Sequence, residues 1–300
     1  MNTLLENAKR DPNLFFITGD LGYGVVDNFQ RELPRQFLNV GVTEQSMIGI
    51  AAGIASTGKR VFVYSIGNFP TLRCLEQIRN DVCLMNQSVV IVSVGAGYAY
   101  GSQGYTHHAI EDIAVMRALP NMKIYVPCDS NESSALTSFL SKTTGPAYLR
   151  LSKNGEPDLN NVVDEIKNSK PFLLKEGKDG TLIFIGPIGS VAFEAADSLS
   201  KMGIEISLVS MPQMSEFDPN FFEKIAKEGP IFTLEEHATP GGFGSFILEK
   251  LNEFGINAKV SILASNRSNL SKIGSQGFLQ TFNGIGHDAI IQKILSALAK

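Results

Sequence analysis

Short apolar runs alternate with amphipathic stretches along the whole chain, which predicts largely parallel sheets whose strands are joined by helices. Leu14-Phe15-Phe16-Ile17-Thr18 reads as a first strand and ends at Gly19-Asp20-Leu21-Gly22. A helix follows from Glu44 to Ala55, with Ile and Ala on one face. Residues 60–64 and 89–93 read as strands, with a helix at 71–84 between them and a Gly-rich loop at 95–104 after them. Helices at 110–119 and 130–142 then bracket a strand at 122–126, and a strand at 147–151 closes the series. From 152 to about 178 the pattern breaks down into Asn, Asp, Lys and Gly punctuated by Pro157 and Pro171, with room for a short strand near 172–174. A second series runs through strands at 181–186, 204–209, 231–234 and 260–263 and helices at 191–202, 220–227, 245–254 and 288–299. The expectation is an α/β protein of two domains, at 1–155 and 176–300, joined by a linker at 156–175. Each domain is a largely parallel sheet flanked by helices.

Bulk composition narrows the function. The 300 residues are 43% hydrophobic and 19% charged, enough apolar material for a core in each domain. A net charge of -4 without a basic stripe excludes nucleic acid as an expected partner. No apolar run reaches the ~18 residues of a membrane span, and the first residues lack a secretory pattern. Cys74, Cys83 and Cys128 are too scattered for a disulfide framework or a zinc site, so a reducing cytoplasm is the expected compartment.

Three segments carry candidate chemistry. In Asn39-Val40-Gly41-Val42-Thr43-Glu44-Gln45 a carboxylate opens a helix. An acid is favoured there by the helix dipole alone. Val40, Val42, Met47, Ile48 and Ile50 nevertheless surround it in sequence with apolar side chains, so its pKa is expected to rise. In Gly101-Ser102-Gln103-Gly104-Tyr105-Thr106-His107-His108 a tight loop leads into two imidazoles. A loop at the carboxyl end of a strand is where α/β sheets place ligands, so His107 is read as functional and His108 as a packing residue. Tyr64-Ser65-Ile66-Gly67-Asn68-Phe69-Pro70-Thr71-Leu72-Arg73 puts aromatics and an arginine beyond a strand. Those aromatics suit a flat heterocycle and suit a core equally well.

Taken together, these segments resemble the transketolase family. Val42-Thr43-Glu44-Gln45 is similar to the segment around the family's catalytic glutamate, and Gly104-Tyr105-Thr106-His107 to its G-P-T-H or G-Q-T-H. Leu119-Pro120-Asn121-Met122, Val126-Pro127-Cys128-Asp129 and Gly145 to Lys153 follow in the family's order. Glu235-Glu236-His237 with Gly241-Gly242-Phe243-Gly244 matches its E-x-H…G-G-x-G. The resemblance runs from about Leu14 to the carboxyl terminus and implies a pyrimidine-binding domain followed by a transketolase carboxyl-terminal domain. It implies thiamine diphosphate as cofactor, with Glu44 hydrogen-bonding a ring nitrogen of the aminopyrimidine to activate it. It further implies Phe69 stacked on that ring, with Asp20, Leu21 and Tyr64 near the cofactor. His107, Gln103, Arg73 and Lys153 would face the substrate, His107 on its hydroxyls. The reaction would be transfer of a two-carbon ketol unit from a ketose to an aldehyde.

The family's metal-diphosphate signature, G-D-G followed by an Asn pair, is not found here, since Gly19-Asp20-Leu21 and Lys178-Asp179-Gly180 lack the downstream segment. The resemblance therefore implies one subunit of a split enzyme, active only with an amino-terminal partner that holds the diphosphate and its Mg2+ or Ca2+. A homodimer core within a heterotetramer follows from the family's habit of seating the cofactor between chains. Gln103 replaces the family's usual Asp, and Lys153 replaces the arginine that grips a substrate phosphate, a point charge in place of a bidentate fork. Alternatives are the beta subunit of a 2-oxo-acid dehydrogenase-type decarboxylase, half of a deoxyxylulose-phosphate-synthase-like enzyme, or a binding module that kept the fold.

Overall fold

The computed structural model describes residues 1–153, 155–159, 171–266 and 270–299. Its first sheet contains β1 (Leu14–Thr18), β2 (Phe37–Asn39), β3 (Arg60–Ile66), β4 (Val89–Val94), β5 (Lys123–Tyr125) and β6 (Ala147–Leu151). All pairings in it are parallel and the order is β2-β1-β3-β4-β6-β5. The central strand β4 is buried along its whole length, as an unbroken apolar run requires when helices cover both faces. Helix α1 (Asn2–Arg10) covers one face, α2 (Asp27–Glu32) connects β1 to β2, and α3 (Glu44–Ala55) covers the other face. Met47, Ile48, Ala51 and Ala52 of α3 meet Ile17, Val61, Val63 and Ile91 of the sheet. On the opposite face Leu4, Leu5 and Ala8 of α1 meet Phe16, Phe62, Val90 and Val92.

The helix expected at 71–84 is a composite. A 3-10 turn (Leu72–Cys74) leads into α4 (Leu75–Gln77) and then a π-helical turn (Ile78–Leu84). Ile78, Val82 and Cys83 are all buried, and widening to i→i+5 bonding turns this four-and-five spacing toward the core. The later helices of this domain are α5 (Asp112–Arg117), shorter than expected, and α6 (Ser130–Leu140).

The second sheet holds β7 (Phe172–Lys175), β8 (Thr181–Ile185), β9 (Ser207–Ser210), β10 (Ile231–Ala238) and β11 (Val260–Ser265) in the order β11-β10-β8-β9-β7. Only β7 among these strands runs antiparallel. Around the sheet lie α7 (Gly189–Lys201), α8 (Pro219–Glu228), α9 (Phe243–Glu253), α10 (Gln276–Phe282) and α11 (His287–Leu298). Residues 172–175, expected at the end of the linker, are therefore part of the second sheet, while linker residues 160–170 lie outside the described residues.

The two domains share a continuous core, in which Met116, Ile124 and Val126 pack with Met211 and Met214. Val126 N donates to Pro212 O at 2.8 Å and Ala238 N to Ile110 O at 2.8 Å. A buried polar cluster crosses the same boundary. Arg150 Nε donates to Asp112 Oδ2 at 2.7 Å, and its Nη2 donates to Ala109 O at 2.6 Å and Glu236 O at 3.1 Å. Tyr148 donates its hydroxyl to the same Asp112 oxygen at 2.5 Å, and His237 Nε2 lies 3.9 Å from Asp112 Oδ1. Burial alone would raise the Asp112 pKa, but Arg150 and His237 outweigh it and hold the carboxyl below its usual range. No helix among the described residues is long and apolar enough to cross a membrane.

Candidate active site

The chain leaves β1 toward β2 on one side and returns to β3 on the other, which opens a crevice at the carboxyl ends of these strands. Glu44 enters that crevice as the first residue of α3, after Gly41 has turned the chain with φ of +73°. Its side chain is 3% exposed, and Oε2 accepts from Arg73 Nη1 at 2.9 Å. The apolar surround expected of it is one-sided. Met47 and Ile48 are fully buried, whereas Val42 and Ile50 are 71% and 39% exposed because they project from the outer face of the helix start. A guanidinium closes the open side instead.

Arg73 comes from the 3-10 turn after β3 and is 47% exposed. Its guanidinium carbon lies 4.4 Å from the centre of the Phe69 ring, within cation–π range. Gln45 Nε2 donates to the Arg73 carbonyl at 3.1 Å and so ties this turn to α3. The His107 ring stands 5.2 Å from Phe69 at 70°, and Tyr100 stands 6.4 Å beyond His107. Lys153, at the end of β6, places its ammonium 5.6 Å from the Tyr100 ring. Glu44, Arg73, Phe69, His107 and Lys153 thus form one connected group, although they come from four separate segments of sequence.

The loop that carries His107 is held from both domains. Asn68 Nδ2 donates to His108 O at 3.0 Å, and Gly97 pairs with Ala109. Gly97 has φ of +60°, and a Cβ there would meet Glu236 Cγ at 2.5 Å, so the close approach to the second domain needs glycine. His108 is buried between Tyr98 and Gly101, as a packing residue should be, and burial lowers its pKa. Gln103 is exposed on the same loop.

Asp20 and Leu21 follow β1 at the rim of the crevice. Asp20 has φ of +58° and exchanges hydrogen bonds with Asn39, its backbone N–H donating to Oδ1 at 3.0 Å and its Oδ1 accepting from Nδ2 at 3.1 Å. Leu21 gives its carbonyl to Thr18 Oγ1 at 3.0 Å. Tyr64 stands apart from the Glu44–Phe69 pair and lies toward the Lys153 end of the group. Strand alternation turns it, with Phe62, to the face covered by α1, where its ring packs 6.1 Å from Phe16. It borders there a cavity of about 430 Å³ floored by Phe16, Phe62, Val92 and Leu149, whose lining also takes in Lys153. Burial pushes the Tyr64 hydroxyl up to about 12.

Tyr100 and Asn68 are the members that sequence reading missed. The signal for Tyr100 was its place inside the Gly-rich loop, where a large side chain is out of keeping with a merely flexible segment. Glu235, Glu236 and His237 take no part, because β10 runs on past 234 and buries all three. Glu235 accepts from Phe243 N at 2.6 Å and Gly244 N at 2.9 Å at the start of α9, and Glu236 accepts from Tyr98 N at 2.6 Å. Among the described residues, no three His, Cys, Asp or Glu side chains come together in a way that could hold a metal ion.

Residues 1–156 match the transketolase pyrimidine-binding domain and residues 171–273 the transketolase C-terminal domain. The chain is 36% identical over 262 residues to an apulose-4-phosphate transketolase subunit of Phocaeicola vulgatus, covering 86% of this chain and 84% of that one. It is 32% identical over 301 residues to a putative transketolase C-terminal section of Methanocaldococcus jannaschii, covering 99% and 94%. Among solved structures, a split-gene transketolase described as an inactive beta4 tetramer superposes with a TM-score of 0.87 at 30% identity, over 99% of this chain and 96% of that one.

Proposed function

The chain belongs to the transketolase family, and on that footing we propose that it is the carboxyl-terminal subunit of a split, thiamine-diphosphate-dependent transketolase. It takes part in passing a two-carbon ketol unit from a ketose to an aldehyde. The observation that carries this reading is the buried Glu44 carboxyl beside the Phe69 ring, joined through Arg73. A flat group with edge donors already lies between ring and carboxylate, so the space suits an aminopyrimidine. Thiamine diphosphate, when bound, supplies the nucleophilic thiazolium carbon that ketol transfer needs.

The chain's own residues then divide the work. Phe69 offers a face for stacking. Glu44, itself 3% exposed, shares a proton between a carboxyl oxygen and a ring nitrogen. His107, half-buried at the edge of Phe69, hydrogen-bonds substrate hydroxyls, with Thr106 Oγ1 3.0 Å from its Nδ1 to orient the ring. Gln103 and Lys153 line the approach, Lys153 as a point charge for an anionic substrate group. Asp20 and Leu21 border the cofactor at the end of β1.

The diphosphate and its Mg2+ or Ca2+ belong to a partner subunit in this reading. Its support is a relative of similar length that is itself one subunit of a transketolase, together with the split-gene structure that this chain matches over 96% of its length. A homodimer core is supported by apolar side chains left in water on the flank that carries Glu44: Val42, Ile50 and Leu72, with Leu84 and Met85 at 68% and 62% exposure. The test is reconstitution. The chain with its diphosphate-binding partner should transfer ketol units, and the chain alone should not. Glu44→Gln in the complex should cut turnover by roughly 100-fold or more with the fold intact. Strong metal-dependent cofactor binding by the isolated chain, or full activity of Glu44→Gln, would overturn the reading.

A further inference from the structure

Arg73 already makes the two contacts that the reading above asks of the aminopyrimidine. Its flat guanidinium lies over Phe69 at 4.4 Å, and its Nη1 donates to Glu44 Oε2 at 2.9 Å. A heterocycle cannot use the same ring face and the same oxygen while Arg73 holds them. The side chain has somewhere to go, since 47% of it is in solvent. Its backbone does not need to move: Arg73 N donates to Asn68 O at 3.2 Å, and its carbonyl accepts from Gln45 at 3.1 Å. Arg73 also gives Glu44 a counter-charge, without which a nearly buried carboxylate would be costly.

We propose that Arg73 is a built-in stand-in for the aminopyrimidine: it fills that half of the site in the cofactor-free subunit and swings out as the cofactor enters. The proposal rests on the thiamine-diphosphate reading of Glu44 and Phe69. It gives Arg73 a role opposite to substrate binding, because a stand-in competes with the ligand. The closed state scales the apparent affinity by the fraction of molecules in which Arg73 has left the site. A guanidinium this exposed, held by one ion pair and one ring contact, should impose a factor of roughly five. The closed site also leaves Glu44 satisfied before assembly, which protects the free subunit.

The experiment is calorimetric titration of thiamine diphosphate, with Mg2+ present, into the chain assembled with its diphosphate-binding partner. Arg73→Met should bind roughly five-fold more tightly than wild type, and Arg73→Lys, which keeps the charge but loses the flat face, should fall between them. Thermal melting of the isolated chain provides a second readout without cofactor. Arg73→Met should lower Tm, and adding Glu44→Gln to it should recover most of the loss. If the wild-type complex binds thiamine diphosphate and Arg73→Met binds it equally or more weakly, the stand-in is wrong and Arg73 is a ligand or a bystander. If Arg73→Met leaves the Tm of the isolated chain unchanged, the Glu44 pair is not formed in solution and the proposal also falls. A wild-type complex that binds no thiamine diphosphate overturns the underlying reading instead.

Discussion

Asp112–Arg150 and Glu44–Arg73 are the same chemistry in two settings. Their shortest N–O distances are 2.7 and 2.9 Å. Between the domains, both side chains are buried, at 1% and 0% exposure, and Arg150 has two carbonyl partners besides Asp112. At the strand ends, Glu44 is buried but Arg73 is 47% exposed, and its further contact is a ring face. The difference separates a fixed joint from an exchangeable one. A charge surrounded by partners has nowhere better to go. A half-exposed guanidinium gives up little when water or a ligand replaces its contacts.

The strongest way to break this contrast is Arg150→Met, which strands Asp112 in the domain boundary without its counter-charge. Unfolding by urea should show a loss of about 3–5 kcal/mol; a loss under about 1 kcal/mol would make the two pairs equivalent. Next is acid. His237 faces Asp112, Glu235 and Arg150, and burial lowers its pKa to about 4, so the folded chain holds it neutral while the unfolded chain takes a proton near 6.5. The unfolded state therefore binds more protons between those values. Its contribution is whole above about 6.5 and is lost as pH falls toward about 4, on the order of 3 kcal/mol at full extent. A series of melts from pH 7 to pH 4 should flatten in His237→Phe relative to wild type; parallel curves would remove His237 from the account. Arg73→Met should cost the isolated chain's fold only about 1 kcal/mol. At the weak end, Lys9 bridges Glu6 and Glu32 in open solvent, at 2.8 Å to each, and Lys9→Ala should leave Tm unchanged.

The strands were legible because β1, β3, β4, β6 and β8 are apolar runs that only a doubly covered sheet can use. That same property hid which way Tyr64 points. With both faces apolar, alternation between Val63 and Tyr64 carries no polar mark, and Tyr64 packs with Phe16 and Phe62 on the α1 face while Val63 packs with α3. Glu44 could be found because it opens a helix just after a turn. Its partner could not, since Glu44 and Arg73 are 29 positions apart and meet through the packing of α3 against the turn after β3. Glu235-Glu236-His237 shows the converse. A polar triplet reads as surface or as site, yet each member is satisfied inside β10, and Phe243 N, Tyr98 N and Ala114 N, which serve Glu235, Glu236 and His237, come from distant parts of the chain.

The loop from Gly95 to His108 grips the second domain at several points: Gly97 against Glu236, Tyr98 N–H on the Glu236 carboxylate, and Gly274 N on Gly101 O at 3.3 Å. None of the residues read here as catalytic or ligand-binding lies on that domain. Its contribution to the site is that of a splint, setting the height of His107 above Phe69 from outside. Substitutions at Glu236, or at the Gln276 and Gln280 amides that hold it at 3.0 and 2.9 Å, should therefore act on the reaction without touching any reactant. Sequence drift in the second half of the chain becomes a means of adjusting chemistry carried out by the first.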